Sequence, residues 1–191
     1  MIRFLDSRTK RTRVVLQPTE LYVSTEQEVI TTVLGSCVAV CLRDPEAGVG
    51  GMNHFVLSRR KNSVSGFPND TVGRFGEDAM PALLEQMEQA GAGRFRLSVK
   101  LFGGAMIINK DCKSNCVGDE NIKIARAFLS QWGMNVLAED VKGTVGRRIH
   151  FDTRTGNVEV ERMTRLDSQT AADPLREPST GPSSPFQKLV F

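Results

Sequence analysis

Residues 28–42 read EVITTVLGSCVAVCL, and this run limits the possible folds more than any other part of the chain. β-Branched and apolar residues fill both of its halves, which suits buried strands rather than a helix. Gly35 and Ser36 break it, so the run must form two strands or one sharply interrupted strand. DPEAG follows at 44–48, where Asp opens a turn, Pro sets φ and Gly accepts a positive φ. VGGMNHFVLS at 49–58 then reads as the returning strand. A hairpin at the centre of a β-rich core is therefore the first expectation.

The hairpin carries the most reactive pair of side chains. The chain has four cysteines and only two histidines, and Cys37 and His54 fall on the two arms. A four-residue loop between Arg43 and Gly48 sets Cys37 directly opposite His54. Directly paired side chains have Cβ atoms about 4.5–5.5 Å apart, and a slip of one residue would part them. A free thiol is mostly protonated at neutral pH, and a neighbouring imidazolium would favour the thiolate. Consecutive backbone N–H groups at Gly35-Ser36-Cys37 can receive an oxyanion. Together these groups fit attack on an acyl carbon, with Thr31 or Thr32 available to orient the imidazole. The competing reading is a Cys and a His packed in a half-buried hairpin.

Other strands are expected at 12–16, 21–24, 94–105 and 134–140, with a hairpin at 146–163 turning at Thr153-Arg154-Thr155-Gly156. Met80, Leu83, Leu84 and Met87 recur at helical spacing within 77–90, and Pro81 is tolerable there only in the first turn. Residues 122–132 give a second amphipathic helix ending at Gly133. Strand-rich halves with two separated helices predict an α+β domain over residues 1–165. Residues 59–73 and 109–121 read as polar, irregular segments. Residues 166–191 hold four of the eight prolines and predict a disordered or loosely draped tail. Its FQKLVF end is apolar enough to dock as a strand, although fraying is the simpler expectation.

Composition removes several function classes. A formal charge of +3 is too small to imply nucleic acid, and Arg8, Lys10, Arg11 and Arg13 read as a solvated N-terminal run. No apolar segment approaches the roughly 20 residues of a membrane span. The absence of a signal-like N-terminus predicts a cytoplasmic protein with reduced thiols. Cys41 reads as core and His150 as a strand residue. Cys112 and Cys116 lack the two further ligands a zinc site needs. They leave a thiol redox protein as a distant alternative.

LGSCVAVCLRD, GGMNHFVL, GRFGEDAM, KLFGGA and AEDVKGTVGRRIHFDTRTGNVEV, in that order, resemble the CheD family of chemoreceptor glutamine deamidases. The resemblance runs from about Val14 to Val160. It implies a protein-glutamine glutaminase that converts receptor glutamines to glutamates through a cysteine thioester, with no metal or organic cofactor. On the family pattern Cys37 is the nucleophile, His54 the base and Thr31, not Thr32, the third member. It also implies a mixed β-sandwich-like core flanked by helices, similar to the catalytic domain of deamidating cytotoxic necrotising toxins. Ser36 is expected to help hold the oxyanion, and Phe102, Gly103 and Gly104 to lie at the substrate rim. The implied partners are cytoplasmic helices of methyl-accepting chemotaxis receptors and a CheC-type CheY-phosphate phosphatase. The alternative is a binding module that docks these partners without chemistry. Gly118-Asp119-Glu120-Asn121 departs from a family Gly-x-Arg-Asn by placing an acid where a cation is usual.

Overall fold

The computed structural model describes residues 1–59, 73–107, 116–163 and 188–191. Residues 60–72 of the polar loop expected over 59–73, residues 109–115 of the second irregular segment with Cys112, and the Pro-rich tail up to residue 187 lie outside these residues. The strands are β1 (Ile2–Leu5), β2 (Thr12–Val15), β3 (Leu21–Ser24), β4 (Glu28–Leu34), β5 (Val38–Asp44) and β6 (Val49–Asn53). Helix α1 (Gly76–Gln89) leads to β7 (Ser98–Gly103), and helix α2 (Val117–Gln131) to β8 (Val136–Val141). Strands β9 (Arg147–Asp152), β10 (Val158–Arg162) and β11 (Lys188–Val190) complete the fold.

Two mixed sheets form, in the orders β1-β2-β4-β9-β10-β11 and β3-β6-β5-β7-β8. The Gly35–Ser36 break divides the run into two strands and sends β4 and β5 into different sheets. Side chains alternate along strands, so Ile30 and Leu34 from one sheet meet Ala39, Cys41, Met52 and Phe102 from the other. This contact is the sandwich core. On the far side of the second sheet, Val38, Val40 and Leu42 pack against Met80, Leu83 and Met87 of α1 and Ile122, Ala125 and Leu129 of α2. The fold is thus α+β, with both described helices on one sheet. Glu28 helps tie the sheets together: its buried carboxylate accepts from Tyr22 Oη at 2.8 Å, Ser24 Oγ at 2.6 Å and Arg3 Nε at 2.7 Å.

Several expectations need correction. Pro81 lies beyond the first turn of α1, but it is exposed, so its ring and missing N–H fall on the solvent face of the helix. Helix α2 starts at Val117, five residues earlier than the periodicity indicated. The basic N-terminal run is not merely solvated. Arg11 makes a forked contact with Asp152 at 2.8 and 2.9 Å, and Arg13 meets Asp6 at 2.8 Å. The end of the chain does not fray. Strand β11 adds to β10, and Phe191 sets its ring edge-on to Phe102 with centroids 5.8 Å apart.

Candidate active site

Strands β5 and β6 pair Cys41 with Met52 and Asp44 with Val49, and Val38 bridges Phe55. Asp44 therefore belongs to the strand and not to the loop. Its Oδ1 accepts the N–H groups of Glu46 at 2.9 Å and Ala47 at 3.2 Å, while Gly48 takes φ 69°. The register is shifted by two residues from the expected direct pairing of Cys37 with His54. A two-residue shift preserves the face, because side chains repeat every two positions. Cys37 and His54 become diagonal neighbours, a relation that spans about 7–8 Å in sheet geometry. No hydrogen bond joins them at rest.

His54 is 1% exposed, and its Nδ1 lies 2.7 Å from Thr32 Oγ1. The Thr32 hydroxyl has one proton, which it donates to the Leu16 carbonyl at 2.9 Å. Its oxygen must then accept from the imidazole, so Nδ1 carries the proton and Nε2 is a bare lone pair. Nε2 is buried and has no hydrogen-bond partner among the described residues. The backbone is held as well: His54 N–H donates to Glu20 O, and Thr19 N–H donates to His54 O, both at 2.8 Å. Thr19 adopts φ 75°, a strained choice for a β-branched residue, at the point where it grips His54.

Thr31 is not the threonine that reaches this histidine. It sits directly opposite His150 in the β4–β9 ladder, and its Oγ1 is 2.9 Å from His150 Nδ1. Adjacent strand residues face opposite ways, so Thr32 enters the sandwich while Thr31 and His150 occupy the other face of their sheet. His150 is thereby removed as a substitute base for Cys37.

The charged pair expected at the hairpin is also corrected. Burial pushes the Cys37 thiol from 9.0 up to about 11 and the His54 imidazole from 6.5 down to about 4. Both groups are neutral at pH 7, because desolvation penalises thiolate and imidazolium alike. A stability signature follows. Above the ordinary value near 6.5, His54 is neutral folded or unfolded and adds no pH dependence. As pH falls from there to about 4, only the unfolded chain takes the proton. Stability should drop by roughly 3 kcal/mol across that window. Urea melts at several pH values should show this drop in the native chain, and a much smaller one in His54→Gln.

The turn before β5 supplies the remaining groups. Among the described residues, neither Ser36 nor Cys37 donates its backbone N–H to another backbone group. The turn is pinned through its carbonyls instead: Gly104 N–H donates to Cys37 O and Ala105 N–H to Gly35 O, both at 2.8 Å. Gly103 takes φ 109° so close to Cys37 that an added Cβ would lie 2.2 Å from the Cys37 oxygen. The Phe102–Gly104 bend thus abuts the thiol-bearing turn, yet all three residues are buried. Phe102 is a core residue and not a rim residue. Asn121 of α2 joins the group, its Nδ2 donating to Ser36 O at 3.0 Å and Val56 O at 2.8 Å. Sequence reasoning missed Asn121 as a site residue, and it left Thr31 and Thr32 open until the family resemblance selected Thr31, the one that does not reach His54.

The other thiols stand apart. Cys41 is free and 1% exposed in the sandwich core. Cys116 is disulfide-bonded, against the expectation of mostly reduced thiols. Glu120 pairs its carboxylate with Lys123 Nζ at 2.7 Å on the surface. Among the described residues no group of three His, Cys, Asp or Glu side chains is placed to hold a metal ion. No described helix is long and apolar enough to cross a membrane.

A family model described as CheD chemotactic sensory transduction matches residues 57–162. The chain is 39% identical over 165 residues to a Cupriavidus metallidurans protein named probable chemoreceptor glutamine deamidase CheD, covering 86% of this chain and 74% of that one. The chain belongs to the CheD family. A like-named protein of Cupriavidus pinatubonensis is 37% identical over 171 residues, covering 90% and 78% of the two CheD chains. In Shewanella oneidensis, the protein named probable chemoreceptor glutamine deamidase CheD 2 is 42% identical over 148 residues, covering 75% and 73%. The family-model match begins just beyond His54 and so does not include Cys37, His54 or Thr32.

Proposed function

We propose that this CheD-family chain hydrolyses glutamine side chains of chemoreceptors to glutamates, using Cys37 as a thiol nucleophile and His54 as its base. One observation carries the reading: the bare His54 Nε2, buried without a partner on the sheet face that also bears Cys37. The names of the relatives supply the substrate class. Catalytic hydrogen bonds are often long in an empty site and tighten when substrate binds. The reading requires the Cys37 side chain to turn toward Nε2 as substrate binds.

The steps balance as follows. Nε2 takes the thiol proton as Sγ attacks the carboxamide carbon, and the backbone N–H groups at Ser36 and Cys37 receive the oxyanion. The imidazolium returns the proton to the departing nitrogen, releasing ammonia and leaving a thioester. Nε2 then takes a proton from water, the hydroxyl attacks the thioester, and the thiol is restored with a glutamate as product. No resting thiolate is required, because proton transfer accompanies attack.

Receptor cytoplasmic helices are the proposed partners, with a CheC-type phosphatase as a second, and the cytoplasm is the compartment where both would be met. The likeness to the catalytic domains of deamidating cytotoxic necrotising toxins belongs to the same reading. To test the function, purified chain is incubated with a receptor cytoplasmic fragment, and the peptides are weighed. Deamidation gives the mass gain of amide nitrogen replaced by oxygen, and ammonia in equal amount. Tight binding with no mass change would favour a docking module instead. In the same assay Thr32→Val should lower kcat about 10- to 100-fold by freeing the imidazole to turn. Thr31→Val should change it less than about threefold, since its hydroxyl serves His150 on the other face.

A further inference from the structure

Asn121 is fully buried near the start of α2, where Ile122, Ala125 and Leu129 pack into the core. Its two amide hydrogens go to two carbonyls, Ser36 O at 3.0 Å and Val56 O at 2.8 Å. The reverse orientation would set amide oxygen against both carbonyls, so chemistry fixes which end is nitrogen. Its Oδ1 is buried with no hydrogen-bond partner among the described residues. An amide kept inside with one end unpaired costs stability, and an apolar residue there would avoid that cost. Packing alone does not account for it.

What the amide does follows from the two carbonyls it holds. Ser36 O and the Cys37 N–H belong to one peptide unit, and in a trans peptide they point in opposite directions. Drawing Ser36 O toward α2 aims the Cys37 N–H away from the helix. The second carbonyl belongs to Val56, two residues beyond His54. One side chain therefore spans the arm that carries the thiol and the arm that carries the base. The seat of this clamp is itself tight, because an added Cβ on Gly118 would lie 2.5 Å from Gly104 O.

We propose that Asn121 is a positioning residue that keeps the Cys37 N–H aimed at the developing oxyanion and locks this turn to the His54 arm. The inference rests on the deamidase reading and adds a residue to it. It predicts a defect in transition-state stabilisation and not in thiol reactivity. Asn121→Leu and Asn121→Asp are compared with the native chain for kcat and KM on a receptor fragment, for melting, and for Cys37 alkylation by iodoacetamide. Loss of an oxyanion donor costs about 100- to 1,000-fold in kcat, so a fall of about 100-fold is expected in both variants, with KM changed less than about threefold. Alkylation should stay within about threefold of native, because attack on iodoacetamide develops no oxyanion. Lowering the pH should restore part of kcat in Asn121→Asp, whose protonated carboxyl can donate to one carbonyl, but not in Asn121→Leu. If the leucine variant fails to fold, the aspartate variant at low pH carries the comparison.

A folded variant with native kcat overturns the proposal while the deamidase reading stands. Equal losses in kcat and alkylation also overturn it, by reporting general disorder of the site. A native chain that deamidates no receptor fragment defeats the underlying reading, and the inference falls with it.

Discussion

Cys37→Ala should abolish glutamine deamidation, lowering kcat at least about 10,000-fold while leaving the thermal melt almost unchanged. The size of the loss follows from the lack of a substitute. Cys41 lies on the same face of β5, but it is 1% exposed and its thiol is pushed up further than that of Cys37. Cys116 is disulfide-bonded. The only other histidine, His150, is engaged with Thr31 on the far face of its sheet. Any residual rate would come from binding and the backbone donors alone. Cys37→Ser should be almost as inactive, because a hydroxyl yields its proton to a neutral imidazole far less readily than a thiol. Steady-state ammonia release checks both variants, and a Cys37→Ala chain that retained even a tenth of native kcat would remove Cys37 from the chemistry.

The second large effect concerns the fold that holds the sulfur. Gly103→Ala combines a backbone at φ 109° with a Cβ placed 2.2 Å from Cys37 O, a contact that only backbone movement can relieve. Strain of this kind and the forced shift together should cost about 3 kcal/mol or more in urea melts. Whatever folds should deamidate poorly, since the carbonyl being displaced is that of the nucleophile. Gly48→Ala is the control. It has a similar need for positive φ, at 69°, but nothing within 4 Å of the added carbon. It should cost only about 1 kcal/mol and leave kcat intact. Equal stability losses in the two variants would mean that the bend does not press on the Cys37 turn.

Much of this arrangement was legible in the residues themselves. The Gly-Ser break in a β-branched run called for two strands or one sharply interrupted strand, and side-chain parity put Cys37 and His54 on one face for any even shift of register. The turn itself was misjudged by one residue, which moves the pairing register by two, because Asp44 can open a loop or end a strand. Its carboxylate does both, accepting two loop N–H groups and the Arg96 guanidinium from inside the sheet edge. Thr32 was also within reach. Ile30 and Leu34 mark the inward positions of β4, and Thr32 lies between them, whereas the family pattern pointed to Thr31. The neutral state of the thiol and imidazole was not legible, because it depends on burial supplied by distant segments. Asn121 escaped for a related reason. Its role depends on α2 lying across the turn, a tertiary relation that no local pattern encodes.

The covalent step can be examined directly with hydroxylamine. A Cys37 thioester partitions between water and this stronger nucleophile, so incubation with a receptor fragment should yield the glutamyl hydroxamate at the same glutamines that otherwise become glutamate. The hydroxamate should increase with hydroxylamine concentration and be absent with Cys37→Ala. Glutamate as the sole product at every hydroxylamine concentration, with ammonia still released, would mean that water attacks the amide without an acyl-enzyme, contradicting the role assigned to Cys37.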